Sequence, residues 1–203
     1  MRRFVDRTGR PGPSTWEAGG FPAGEDGFPV RGVSWYEAAA YAEFLGKSLP
    51  TVHHWLGATD AFPPVALFTL SNFDAKSPVP VSTRQGLGQA GTYDMAGNVK
   101  EWCWNASGDR RYTLGGGWDE PIYMYRSGHA QPAFDRRENQ GLRLAKYLDP
   151  PAAELLAPIS KVSRDYAHEK PVDDAAFEVF RSIYAYDRAP LDAAVEQLRS
   201  AAP

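Results

Sequence analysis

The run Gly91-Thr92-Tyr93-Asp94-Met95-Ala96-Gly97-Asn98-Val99-Lys100-Glu101-Trp102 constrains this chain more than any other stretch of it. Asp94 and Asn98 flank Gly97 in a pattern suited to a tight turn, with both side chains able to bond nearby backbone. A short strand is then expected from Val99 to Trp104, and others over Tyr112–Leu114 and Gly141–Tyr147. The run has company in a fixed order. Val33-Ser34-Trp35-Tyr36-Glu37-Ala38-Ala39-Ala40-Tyr41 and Gly46-Lys47-Ser48-Leu49-Pro50-Thr51 precede it, and Gly115-Gly116-Gly117-Trp118 and Gly141-Leu142-Arg143 follow.

With 203 residues, 43% of them hydrophobic, and six Trp, the chain can supply a sizeable core. A net charge of -3 gives no general attraction to nucleic acid or anionic lipid, so neither is expected as a partner. The apolar runs, such as Pro63 to Phe68, fall far short of the roughly 20 residues a membrane span needs. The start, Met1-Arg2-Arg3-Phe4, lacks the apolar stretch of a signal peptide. A soluble chain is expected, in a bacterial cytoplasm or as a periplasmic domain of a larger protein. Cys103 is the only cysteine, which excludes an internal disulfide and any cysteine-rich metal cluster.

Residues 1 to 32 are rich in Gly and Pro, which favours irregular backbone, with Trp16 and Phe21 expected to pin the segment to a neighbouring surface. From Ser34 the apolar residues Trp35, Ala38, Ala39, Ala42 and Leu45 recur at helical spacing, with Ser34 as cap and Gly46 as stop. A shorter helix is expected after Thr51, with Trp55 facing inward. Pro63 to Gly91 shows little periodicity and many turn formers, and a loop of that length in a compact domain is usually functional. After Pro150-Pro151, a helical turn at Ala152–Leu156, a helix capped by Asp173-Asp174 and carrying Phe177, Phe180 and Tyr184, and another over Asp192–Leu198 are expected. Few strands are long, so the fold class is irregular α+β.

The ordered motifs, from roughly Phe28 to Leu144, resemble the formylglycine-generating enzyme family, also called sulfatase-modifying factors. The resemblance implies an irregular α+β fold related to C-type lectin-like folds. It implies a domain over residues 1–148 whose first strands and early helix lie outside this chain. Residues 149–203 resemble the helical connector that leads, in some bacterial proteins of this type, into an esterase-like α/β-hydrolase domain. In other relatives a Ser/Thr protein kinase domain lies upstream. The chain is therefore expected to be part of a longer polypeptide. No Gly-x-Ser-x-Gly elbow and no kinase signature occurs in it.

The family oxidises a peptidyl cysteine to formylglycine with copper held by two cysteines, a soft ion on soft thiolates. Its spacing from the Gly-Gly-Ser motif places those cysteines at Glu120 and Tyr125, with Gly117 at the Ser position. A chain with one cysteine cannot form the pair in any alignment, so copper and cysteine oxidation are not expected. The family's usual Trp is replaced by Lys100, whereas Trp102, Trp118 and Arg143 persist in places suited to packing and a buried ion pair. Asp119, Glu120 and His129 read as a solvated loop in preference to a substitute metal site. His53 and His54, adjacent on a helix, cannot both chelate one ion, and His53, His54, His129 and His168 show no zinc or iron spacing.

By position, the resemblance assigns a calcium ion to Asp94, Gly97, Val99 and Glu101, two carboxylates and two carbonyls around a turn. A second calcium site of the family, near Asn72-Phe73, has no identifiable partners here. The expected function is ligand or partner binding, or the organisation of neighbouring kinase or hydrolase domains. The groove beside Gly117, Trp118, Glu120, Tyr123, Tyr125 and Arg126 is the expected surface, and a peptide or sugar the expected ligand. The alternative is an oxidoreductase, of the formylglycine-generating type or using a different metal in the same groove.

Overall fold

In the computed structural model, residues 1–59, 65–88, 90–125, 128–160, 166–168, 170–185 and 187–200 are described, the side chains of residues 65, 66, 166 and 184 excepted. They form two compact units, Met1–Lys161 and Val162–Pro203. The first contains β1 (Lys100–Ser107), which leaves the Gly91–Trp102 run directly and becomes the centre of the sheet. β2 (Arg110–Leu114) pairs antiparallel with it, placing Glu101 opposite Leu114 and Trp102 opposite Thr113, and a bulge shifts the register before Ala106. β3 (His129–Pro132) adds antiparallel to β2, and β4 (Gln140–Gly141) adds parallel to β1, giving the order β3-β2-β1-β4.

Alternation along β1 explains the two apolar clusters, because successive side chains leave opposite faces. Trp102 enters one cluster with Val33, Trp35, Ala38 and Leu49. Cys103 enters the other with Trp55, Met95, Leu114 and Tyr125. Both faces are thus covered, one by α2 (Trp35–Phe44) and the other by α3 (Val52–Gly57). Ser34 and Glu37 cap α2 reciprocally, each side chain taking the other's backbone N–H. Thr51 caps α3 by accepting from the N–H of His54, and the His54 ring nitrogen also lies 2.7 Å from the Thr51 hydroxyl. Trp35 and Trp102 donate their indole N–H groups to the Cys103 and Val33 carbonyls, which satisfies their polar edges in the core.

The first 32 residues are not irregular throughout. Arg2–Thr8 form α1, held by buried Phe4 in edge contacts with Tyr41 and Phe44 of α2 and ended by left-handed Gly9. The stretch after Pro63 is likewise not all loop, since Val65–Thr69 form α4, with Leu67 buried beside Trp55. A strand over Gly141–Tyr147 is not formed. Only Gln140 and Gly141 pair with β1, and the chain then departs from the sheet and makes one bridge between Ser48 and Ala145. That departure lets Arg143 reach Glu101.

The first unit continues beyond residue 148. α5 (Ala153–Leu156) opens a strap whose carbonyls at Leu155 and Ala157 each accept from the buried Asn105 amide at 2.8 Å. Ile159 packs on the Trp55 cluster, and its N–H donates to the Ala106 carbonyl at 2.8 Å. In the second unit Asp173 caps α6 (Asp174–Tyr184) through the Ala176 N–H, and α7 (Ala189–Ser200) follows. Phe177, Phe180 and Ile183 are exposed on α6. Among the described residues no helix is long and apolar enough to cross a membrane.

Candidate functional site

The turn that follows β2 is built from close backbone approaches. Gly116 has φ +74, and a Cβ there would come within 2.7 Å of the Phe73 ring, so only glycine fits. At Gly117 a Cβ would lie 2.9 Å from both Asn139 Cβ and Asp119 Oδ1, leaving no room for the serine of the family motif. The Trp118 N–H donates to the Asn98 carbonyl, and the Trp118 carbonyl accepts from Ala75, tying this turn to the Gly91–Trp102 run and to the loop at residues 74–75.

Glu120 points inward. Its Oε2 accepts from the Gly117 N–H at 2.9 Å and its Oε1 lies 2.6 Å from Lys100 Nζ. Lys100 is 4% exposed at its side chain and Glu120 17%, so the pair is largely removed from water. The position at which the family spacing calls for the first cysteine is thus filled by a carboxylate. The position at which the family has Trp holds its counter-ion. The place of the second cysteine is taken by Tyr125, 2% exposed and packed between Trp55 and Phe68. The lone thiol, Cys103, is buried on β1, and burial, reinforced by the nearby Glu101 charge, pushes its pKa well above the ordinary value.

The six residues expected to share one groove therefore divide. Trp118 is buried beneath Arg31, whose guanidinium carbon lies 5.7 Å from the ring centroid. Gly117 and Glu120 serve the turn's interior, Tyr125 belongs to the core, and Tyr123 is 74% exposed. Arg126 lies outside the described residues. Beside Trp118 there is a cavity of about 400 Å³ whose walls are Glu25, Phe28, Arg31, Lys76, Ser77, Pro78 and Glu138. Arg31 pairs with Glu25 at 3.0 Å, and Glu138 lies at 4.0 Å. Two cations and two carboxylates around one indole edge offer both donors and acceptors. These partners come from the Gly/Pro-rich start of the chain, from the loop after Phe73 and, for Glu138, from the segment between β3 and β4, where no sequence period pointed to them.

Across the sheet, Glu101 is 4% exposed, and two side chains, Arg143 and Trp55, hold its carboxylate. Arg143 Nη2 lies 2.7 Å from its Oε1, Arg143 Nε donates to both oxygens, and Trp55 Nε1–H donates to Oε2 at 2.7 Å. Arg143 Nη2 also donates to the Tyr93 carbonyl. The Glu101 charge, foremost, and then the Asp94 charge hold the Arg143 pKa up, against burial, which lowers it. Asp94 stands in left-handed backbone (φ 55), with Oδ2 accepting from the Ser82 N–H at 2.7 Å. Gly97 (φ 74) is required because a Cβ would strike the Asn72 backbone.

The four residues assigned to calcium are therefore close in the fold, but the Glu101 carboxylate already holds an internal cation. A calcium ion needs six to eight oxygens, and one that used Glu101 would face the Arg143 guanidinium. As arranged, this donor set fits the internal ion pair better than a metal. Among the described residues no group of three or more His, Cys, Asp and Glu side chains is placed to hold a metal ion. His54 instead packs on Tyr147, and His129 lies on β3, with its carbonyl bonded by Thr113.

Comparison with known proteins agrees with this fold. Three solved structures share the fold. Treponema denticola variable protein 1 is 19% identical, with a TM-score of 0.55 over 71% of this chain and 80% of that one. PvdO from Pseudomonas aeruginosa is 21% identical, with a TM-score of 0.54 over 70% and 74%. CarF is 20% identical, with a TM-score of 0.52 over 64% and 72%. Among curated proteins, the serine/threonine-protein kinase pkn1 of Chlamydia caviae is 40% identical over 83 residues, and that of Chlamydia pneumoniae 38% over 82 residues. Each match covers 37% of this chain and 13% of the relative, so the chain spans only a small part of those proteins' length. The model of the sulfatase-modifying factor enzyme 1-like domain matches residues 2–86 and 59–148. The α+β scaffold, the ordered motifs and this match together place the chain in the sulfatase-modifying factor enzyme 1-like, or formylglycine-generating enzyme, family.

Proposed function

We propose that this chain is a non-catalytic member of its family that binds a partner or ligand beside Trp118 and works within a larger multidomain polypeptide. The observation that carries the reading is the Lys100–Glu120 ion pair, which fills the position of the family's copper chemistry with a satisfied and mostly buried contact. The second cysteine position holds core Tyr125, and the one thiol present is buried and held neutral. Nothing there resembles a thiolate pair that could take Cu(I). The similarity to segments of kinases supports a place beside a Ser/Thr kinase domain, and the helical residues beyond Lys161 support a connecting role towards a further domain. The cavity at Trp118, with charged rims of both signs, supports recognition of a peptide or sugar through hydrogen bonds around an aromatic edge.

Two measurements test this. Aerobic incubation with a cysteine peptide and Cu(I), followed by mass spectrometry, is expected to leave the peptide thiol unconverted. Formation of the aldehyde product would overturn the reading in favour of an active oxidoreductase. A peptide and glycan array probed with the wild-type chain and with Arg31→Ala is expected to show a signal that the substitution weakens about tenfold, the loss associated with one charge-assisted hydrogen bond.

A further inference from the structure

The second unit carries its apolar side chains on the surface. α6 and α7 each have one apolar stripe at helical spacing, with Phe177, Phe180 and Ile183 on the first and Leu191, Val195 and Leu198 on the second. Five of these six side chains are more than half exposed, and Val195 is 38% exposed. Covering them would remove on the order of 600 Å² from each copy of the chain, so two copies sharing the surface reach about the 1,200 Å² at which specific interfaces begin. The charges beside the stripes repeat from one helix to the other. Asp174 opens α6 and Arg181 stands seven residues on in its last turn, and Asp192 and Arg199 do the same in α7. Seven residues is nearly two turns, so in each helix the acid and the arginine lie on one flank of the stripe. The local pairs of Arg181 with Glu178, Arg188 with Asp192 and Arg199 with Glu196 are more than half exposed, so they contribute little and are free to exchange partners.

We infer that a second copy of this chain covers these stripes, with α6 of one copy antiparallel to α6 of the other about a two-fold axis. Each copy then offers the surface that it receives, as a two-fold contact requires. Antiparallel packing sets Asp174 of each copy against Arg181 of the other, one ion pair at either end of the contact, with Phe177 and Phe180 of both copies between the two pairs. It also brings opposite ends of the two helix dipoles together. Parallel packing would place acid beside acid and arginine beside arginine. α7 repeats the flank pattern, so the contact extends along it by the same rule. The inference rests on the second unit alone and not on the function proposed for the Trp118 cavity.

The test is sedimentation equilibrium of the full chain from about 1 to about 100 µM, across which the average mass is expected to rise from one chain towards two. Asp174→Arg gives both ends of the contact two positive charges and Arg181→Asp gives them two negative charges, so each is expected to weaken the dimer at least about tenfold. An equal mixture of these two chains sets positive against negative at both ends and is expected to dimerise as the wild type does. Phe180→Gln leaves the helix ends untouched and removes apolar area from an exposed position. It should weaken the dimer by about the same factor, with the helical circular dichroism unchanged. A monomer throughout the concentration range overturns the inference, and a melting temperature lowered by Phe180→Gln in that monomer would mean that the stripe is covered within one chain. A dimer indifferent to all three substitutions would place the interface elsewhere. Single substitutions that abolish the dimer without recovery in the mixture would exclude the antiparallel pairing.

Discussion

Lys100 and Glu120 show how two departures from the family pattern can satisfy one another. Neither residue alone is unusual, but a cation replaces the family's tryptophan where a carboxylate replaces its cysteine, and the two meet at 2.6 Å. Removing one partner strands the other in a mostly dry turn. Glu120→Ala is expected to cost about 2–3 kcal/mol by chemical denaturation, slightly under the fully buried range because Glu120 keeps some solvent access. The double variant Lys100→Met/Glu120→Leu should return to within about 1 kcal/mol of the wild type, since a buried ion pair offsets little more than its own desolvation. A double variant as unstable as Glu120→Ala would show that the Gly117 N–H contact, and not the ion pair, holds the turn. Both substituted positions were visible in the sequence. What the sequence withheld was that they are neighbours, because Lys100 and Glu120 stand 20 residues apart and only the β1–β2 hairpin brings them together.

At the scale of elements, the legible parts were those whose signals are local. The Ser34 and Thr51 caps and the Asp173 cap each advertise a helix start within a few residues, and each is formed. α1 was obscured because one residue, Phe4, holds it onto α2 from a distance in sequence. α4 is five residues long, too short for a period to declare itself. β3 is an edge strand of four residues ending in Pro132, with no alternation long enough to read. The strap after residue 150 gives the next prediction. A chain ending at residue 148 leaves the buried Asn105 amide without its Leu155 and Ala157 acceptors and the core without Ile159. It is expected to melt about 5 °C or more below a chain ending at residue 161, from a loss of at least ~2 kcal/mol. Equal melting temperatures would show that the strap contributes nothing to the first unit.

For the whole molecule, the question that decides how the scaffold is held is whether its Gly91–Trp102 loop is organised by a metal or by its own arginine. The Arg143–Glu101–Trp55 network ties the segment after β4, the start of β1 and α3 into one buried contact. With that cation already in place, thermal melts in EDTA and in millimolar calcium are expected to coincide. A calcium-dependent rise would mean that the ion binds the native state preferentially and displaces Arg143, restoring the ligand set Asp94, Gly97, Val99 and Glu101.

The amino-acid sequence by itself determined the family, the α+β class, the main caps and the loss of the thiolate pair, because ordered motifs, cap residues and a cysteine count are properties of local order and composition. It also marked Arg143 for a buried ion pair. Only the tertiary structure decided which carboxylate Arg143 neutralises, that Glu120 turns inward while Asp94 accepts from the Ser82 N–H, that Tyr125 joins the core, and that Arg31 and Lys76 wall a cavity with Trp118. Those outcomes depend on which charges and rings meet across the sheet. Chain segments far apart in sequence must be packed before burial and pairing can assign each side chain its place.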